Sequence, residues 1–290
     1  MVELDYLVVG HMTRDLLNGD FTIGGTACYA ARTAQALGCR VGIVTSAGAD
    51  VDFSPTLDGI LVSCSPAAET TTFENVYTAE GRRQVLHAVA KTLVPEMVPV
   101  HWRVARTGGI VHVGPVAQEC DPALVGAFGD AFVGVTPQGW MRHWDQAGRV
   151  SSCPWRGAEP VLARADAIVL SEEDVAGMDS LLPQYASRAR LLVVTRGAEG
   201  CIVYGRGRAR RFPAPAVCGV DATGAGDVFA AAFFVWLRRS GDPWTSARFA
   251  NCVAARSVTR MGLASTPRPE EVLRCRRSSP SQARAALGRE

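Results

Sequence analysis

Lysine is almost missing from this chain: Lys91 is the only one among 290 residues, and every other cationic side chain of that kind is an arginine. A G-x-x-x-x-G-K-[ST] phosphate loop is thereby excluded, because Lys91 has no such glycine frame. Long apolar runs are missing too. The stretch 228–237 ends at Arg238 and Arg239, too short to cross a bilayer. The start, MVELDYLVVG, carries an acidic residue at position 3 and reads as a buried strand rather than a signal peptide. A cytoplasmic protein with no membrane partner is expected. Metal-ligand spacing is absent as well, since the five histidines show no H-x-x-x-H and the nine cysteines no C-x-x-C. Nine is odd, and several cysteines lie inside apolar runs such as CIVYG and NCVAA, so they are expected to be reduced core residues rather than a disulfide framework or zinc site. The net charge of +2 is supplied by the tail from Arg268 to Glu290, with six Arg against three Glu. The body is close to neutral and offers nothing to a nucleic acid partner.

What is present suits one large core: 48% hydrophobic and 20% charged residues. Short β-branched runs at 6–10, 41–46, 110–114, 131–137, 167–171 and 191–195 alternate with stretches of helical character such as 27–38 and 122–128. Continuous apolar strands between helices predict an α/β fold, doubly wound, with a mostly parallel sheet covered by helices on both faces and ligands at the carboxyl ends of the strands. Two pieces break the rhythm. DLLNGDFTIG turns at Asn18-Gly19, and TTTFENVYTAEGRRQVL turns at Glu80-Gly81. Inserted hairpins from about 13–24 and 68–90 form either a small β lid over a cleft or edge decoration. The main domain is expected over 1–267, with 268–290 a loose arginine-rich tail.

The stretch DATGAGD, Asp221 to Asp227, stands directly before the apolar run VFAAAFFVWL. Small residues at a helix start let backbone come close to a ligand, and a helix N-terminus favours an anion. The N–H groups of Ala225, Gly226 and Asp227, with Gly224 before them, form a candidate site for a phosphoryl group in transfer, and Asp227 is placed to take a proton from an attacking hydroxyl. The same pattern is also that of a helix cap after a tight turn.

At these residues the sequence resembles the ribokinase-like, or PfkB, carbohydrate kinase family, whose D-x-T-G-A-G-D signature is matched at every signature position; the resemblance covers roughly residues 5 to 266. It implies an ATP- and Mg²⁺-dependent phosphotransferase acting on a hydroxyl of a small sugar or polyol, with Asp227 as general base. VVGHMTRD and IGGTACYAARTAQALG supply Asp15, Gly24 and Gly25. With Asp221 and Gln138, these are the candidate substrate-binding residues. VVTRGAEG and NCVAARSVTRMG supply Thr195, Gly197, Gly200, Asn251 and Gly262. These, with Thr223, are the candidate nucleotide-binding residues. Where the family commonly has N-x-x-E, this chain has Ser171-Glu172-Glu173-Asp174. Asp174 can reach a hydrated Mg²⁺ through water, and Ser171 can equally be a helix N-cap.

GHMTRD, TTFENVY and Gln138-Gly139-Trp140 look closer to the inositol- and sugar-kinase branches, and no evident cluster of basic side chains awaits a substrate phosphate. The nearest rival is a nucleoside kinase, with Phe73, Tyr77 and Trp140 free to stack a base. A rival of another class is a non-catalytic sugar- or nucleotide-binding regulatory protein. A homodimer through the lid is one option the resemblance adds.

Overall fold

The computed structural model describes residues 2–17, 19–78, 81–102, 109–178 and 180–278. Its strands are β1 (Tyr6–Val9), β2 (Thr13–Leu17), β3 (Asp20–Gly24), β4 (Val41–Ala47), β5 (Leu61–Pro66), β6 (Thr72–Thr78), β7 (Gly81–Ala88) and β8 (Ile110–Val113). There follow β9 (Phe132–Val135), β10 (Arg142–Trp144), β11 (Val150–Ser152), β12 (Ala167–Ser171), β13 (Leu191–Thr195), β14 (Cys201–Gly205) and β15 (Arg208–Phe212). The helices are α1 (Thr26–Ala36), α2 (Ala158–Arg164), α3 (Leu181–Arg188), α4 (Ala225–Ser240), α5 (Pro243–Ser257) and α6 (Pro269–Ser278).

Among the described residues a nine-stranded sheet runs β15-β14-β13-β12-β9-β8-β1-β4-β5. It is parallel from β13 to β5 and antiparallel along the β13-β14-β15 edge. Each central strand divides its side chains between two cores, as a period of two requires. Tyr6, Val8, Val169 and Val193 join the helical layer of α1, α4 and α5. Leu7, Val9, Leu170 and Val194 join α2, α3 and the loops on the other face. This is the doubly wound arrangement expected from the strand runs.

The run VFAAAFFV is buried at every position from Val228 to Val235, so α4 is apolar all round because it lies between the sheet and its neighbours α1 and α5. Gly241, left-handed at φ 66°, ends α4. Asp242 starts α5 by accepting the N–H groups of Trp244 and Thr245, with Pro243 at the first helical position.

The two inserted hairpins pair into one four-stranded sheet, β3-β2-β6-β7, in which β2 runs parallel to β6. The hairpin β10-β11 abuts it through an antiparallel bridge from Val85 to Arg149 and a hydrogen bond from Leu86 N–H to Gly148 O. The expected turn residues Asn18 and Glu80, and the side chain of Tyr77, lie outside the described residues.

Three expectations are corrected. PALVGAF holds only a 3-10 turn, Pro122–Gly126, started by Asp121, for a run this short does not sustain an α-helix. Cys252 and Cys275 form a disulfide across α5 and α6, so not every cysteine is a free core thiol; the 23-residue separation has no spacing signature. Residues 269–278 are the helix α6 rather than a loose tail, because Val272 and Cys275 share one helix face and are buried together. Residues 279–290 lie outside the described residues.

Candidate active site

The DATGAGD segment crosses into α4 through Gly224, whose φ of +74° is a left-handed geometry that glycine adopts without strain. A side chain there would also overlap the Tyr29 ring on α1. Gly226 differs: a Cβ at this position meets no atom within 4 Å, and the residue is exposed. Open space therefore lies over the first turn of α4, where helix geometry leaves N–H groups without intrahelical acceptors. Ala225 N–H turns back to Ala222 O at 3.1 Å, which leaves the N–H groups of Gly226 and Asp227 as those best placed for an anion.

Asp227 sits in that turn as a half-buried residue with its carboxyl closely surrounded by protein. Loss of water around it pushes its pKa from 3.8 up to about 6; a hydrogen bond from the Thr26 side chain and the nearby Arg142 guanidinium oppose the rise, while the Asp174 and Asp15 carboxylates add to it. β2, the start of α1, β10 and the turn after β12 thus each supply a group that acts on the Asp227 carboxyl at the start of α4.

Each partner is held by its own element. Asp15, on β2, accepts the Thr13 hydroxyl at 2.8 Å. A side chain at Gly24 on the paired strand would overlap the Asp15 carboxylate. Gly25, at φ +86°, opens α1 and brings Thr26 inward; a side chain there would run into His11 O. Asp174 is 9% exposed and closes a capping box with Ser171: its carboxylate accepts Ser171 N–H at 2.8 Å, and Ser171 Oγ accepts Glu173 N–H at 3.2 Å. Its other oxygen accepts the Gln138 amide at 3.3 Å. Burial raises the Asp174 pKa. The serine of SEED is thus a helix N-cap, and the aspartate caps in return.

Arg142 is the residue that sequence reasoning missed. Its NH1 donates to Val116 O at 2.8 Å and its guanidinium lies 5.3 Å from the centroid of Phe73, which belongs to the four-stranded sheet. A single arginine in a three-residue strand has no sequence signature. Thr26 had one, as a polar residue directly after a Gly-Gly pair at a helix start.

The remaining candidates divide. Thr195 ends β13 and donates to Leu170 O at 3.4 Å, while Gly197 and Gly200 shape the turn to β14. Asp221 accepts Thr223 N–H at 2.9 Å and Gly262 N–H at 3.1 Å, so it ties two loops together. Asn251 is on α5. It is 4% exposed, and its amide donates to Phe212 O at 2.8 Å and to Pro213 O at 3.3 Å, so it holds the exit of β15 from inside. Phe73 and Trp140 are likewise packed rather than free to stack a base. Phe73 is in a small core with Leu86, and Trp140 stacks on Trp155 at 5.5 Å while donating to Cys120 O.

Among the described residues no group of three His, Cys, Asp or Glu side chains is arranged to hold a metal ion directly. Buried Asp174, with one oxygen shared by a rotatable Gln138 amide, suits a hydrated Mg²⁺ carried in with phosphate oxygens rather than an all-protein cage. No helix among those residues is long and apolar enough to cross a membrane.

Residues 163–271 match the description pfkB family carbohydrate kinase. The match covers that segment alone, while the ribokinase-like fold extends over more than nine-tenths of the chain. A fructokinase of Klebsiella pneumoniae is 32% identical over 152 residues, 47% of this chain and 48% of its own length. A cytidine kinase of Thermococcus kodakarensis is 28% identical over 81% of this chain and 89% of its own. The chain spans about half or less of the fructokinases and the sugar kinase it matches. Among solved structures, a pyrophosphate-dependent kinase in the ribokinase family, complexed with a pyrophosphate analog and myo-inositol, has a TM-score of 0.78 at 22% identity, over 92% of this chain and 99% of that one. Arabidopsis thaliana ribokinase complexed with ribose and ATP has a TM-score of 0.71 at 17% identity, over 94% and 99%.

Proposed function

We propose that this chain is a PfkB-type kinase that transfers the terminal phosphoryl group of ATP to a hydroxyl of a small sugar or polyol. The observation that carries the reading is Asp227: a carboxyl near pKa 6, in an open helix first turn, with Asp15 and Arg142 beside it. At neutral pH it is ionised and can take the hydroxyl proton as the new O–P bond forms, while the bond from phosphorus to the leaving phosphate oxygen breaks and ADP departs with its electron pair. The N–H groups of Gly226 and Asp227 face the phosphoryl oxygens, and the arrangement needs no lysine. Asp15 would accept substrate hydroxyls, Asp174 would hold water on Mg²⁺, and the four-stranded sheet would act as the lid. Mg²⁺, when bound, would supply charge neutralisation on the phosphates.

A polyol is favoured over a nucleoside because Phe73 and Trp140 are committed to packing. The test is turnover with ATP and with pyrophosphate against a panel of sugars, inositols and nucleosides. Transfer from ATP to a polyol is expected. Pyrophosphate as the better donor would overturn the ATP assignment, and a nucleoside as the better acceptor would overturn the polyol assignment. Binding without turnover across the panel would favour a regulatory protein.

A further inference from the structure

Behind the anion loop, the segment after α5 closes around one guanidinium. Arg260 donates from Nε to Ala264 O at 2.8 Å and from NH1 and NH2 to the two Glu271 oxygens at 2.8 and 2.9 Å, with longer contacts to Ser265 O and Thr266 O. Glu271, on α6, also accepts Arg268 N–H at 2.9 Å. The pair is largely buried, at 21% and 14% side-chain exposure. A planar fork bound at both prongs fixes orientation as well as distance, which a lysine in the same place cannot do.

The loop so folded reaches the candidate site. Gly262, two residues beyond Arg260, gives its N–H to Asp221, and Val258 O, two residues before it, accepts the N–H groups of Val220 and Asp221. Asp221 in turn holds Thr223 N–H, next to the left-handed Gly224 that starts α4. A continuous chain of bonds therefore runs from α6 to the anion loop, and no step proposed above uses it.

We infer that Arg260 and Glu271 are a positioning pair for the phosphoryl donor: they set the 260–266 loop, which through Gly262 and Asp221 sets the backbone that receives the donor's phosphates. This rests on the kinase reading. The same loop also packs on β3 and accepts a hydrogen bond from Arg32 of α1 at Thr266 Oγ1, so the effect is expected to be larger on the donor than on the hydroxyl substrate, not exclusive to it.

Arg260→Ala removes five donated hydrogen bonds and leaves Glu271 with a poorly paired buried charge. The expected result is a donor KM raised about tenfold or more, the size of one lost charged hydrogen bond, with the hydroxyl-substrate KM moved by a clearly smaller factor. Amide hydrogen exchange over residues 219–226 is expected to speed up, while residues 6–9 of the central strand stay protected. Arg260→Lys, which keeps the charge without the fork, is expected between the two. Equal changes in both KM values, or a folded Arg260→Ala with unchanged donor KM and unchanged exchange over 219–226, overturns the inference. If Arg260→Ala does not fold, Glu271→Gln and Arg260→Lys decide by the same readouts. If the wild type turns over no donor, the kinase reading falls, and the exchange measurement still decides whether the pair holds the loop.

Discussion

Asp227→Asn separates the cost of the candidate base from its use. In the folded chain this carboxyl titrates at about 6 instead of 3.8, so the folded state holds the proton more tightly than the unfolded state. Below pH 3.8 the group is neutral in both states and costs nothing. Between 3.8 and 6 the cost grows, and above 6 it is complete. A shift of about two units at about 1.36 kcal/mol each sets a ceiling near 3 kcal/mol. Because the residue is half-buried rather than fully buried, solvent screening reduces the expected figure to about 1–2 kcal/mol. Asparagine is close in shape, keeps an acceptor for Thr26 and carries no charge against Asp15 and Asp174. Urea unfolding is therefore expected to show the variant more stable than wild type by about 1–2 kcal/mol at pH 7.5, with the difference fading toward pH 4. Turnover falls by roughly two to four orders of magnitude. In the wild type, kcat/KM declines as pH drops through about 6, because the base must be ionised to act. A variant that is less stable at pH 7.5, or whose gain is the same at pH 4, refutes the burial argument. Retention of more than about a tenth of the wild-type rate removes Asp227 from the base role.

Gly226→Val and Gly224→Ala form a contrasting pair. The first meets open space, so the melting curve is expected to hold while turnover drops about a hundredfold or more through obstruction of the anion site; normal turnover in the folded variant would make DATGAGD merely a turn. The second forces a side chain onto φ +74° and into Tyr29, and is expected to cost about 1–3 kcal/mol of stability by chemical unfolding. Asp15→Ala is expected to raise the KM of the hydroxyl substrate about tenfold with little change for the donor, since it removes hydroxyl acceptors and, of the charge acting on Asp227, a lesser part; a change confined to the donor KM would move the sugar site elsewhere.

Much of the fold was legible because it depends on local pattern. The apolar runs at 6–10, 41–46, 110–114, 167–171 and 191–195 became β1, β4, β8, β12 and β13, since a strand buried on both faces needs an unbroken apolar sequence. The two interruptions became one small sheet for the opposite reason, being alternating segments with a turn in each. What could not be read depends on partners far apart in the chain. Cys252 meets Cys275 only because α6 packs on α5. The arginines of that segment made it look like a solvated tail, although Val272 and Cys275 marked a buried face.

The candidate site shows the same divide at finer scale. The glycines, Asp227 and Asp15 were legible because the backbone itself demands small residues where chain and carboxylate meet. The hydrogen bonds of Asn251 were not legible, because its position in the chain says nothing about which way its amide turns, and that amide turns inward to Phe212 and Pro213. Arg142 illustrates the harder case. Its hairpin is placed beside the four-stranded sheet by a bridge between Val85 and Arg149, and only then does its guanidinium come over Phe73 and act on the carboxyls of Asp227 and Asp174. Burial is the main reason the pKa of Asp227 rises and the Asp174 and Asp15 carboxylates add to it, while the Thr26 hydrogen bond and then the Arg142 guanidinium hold it down to about 6. In a chain with one lysine, the charge that balances these carboxylates comes from a strand that no motif marks.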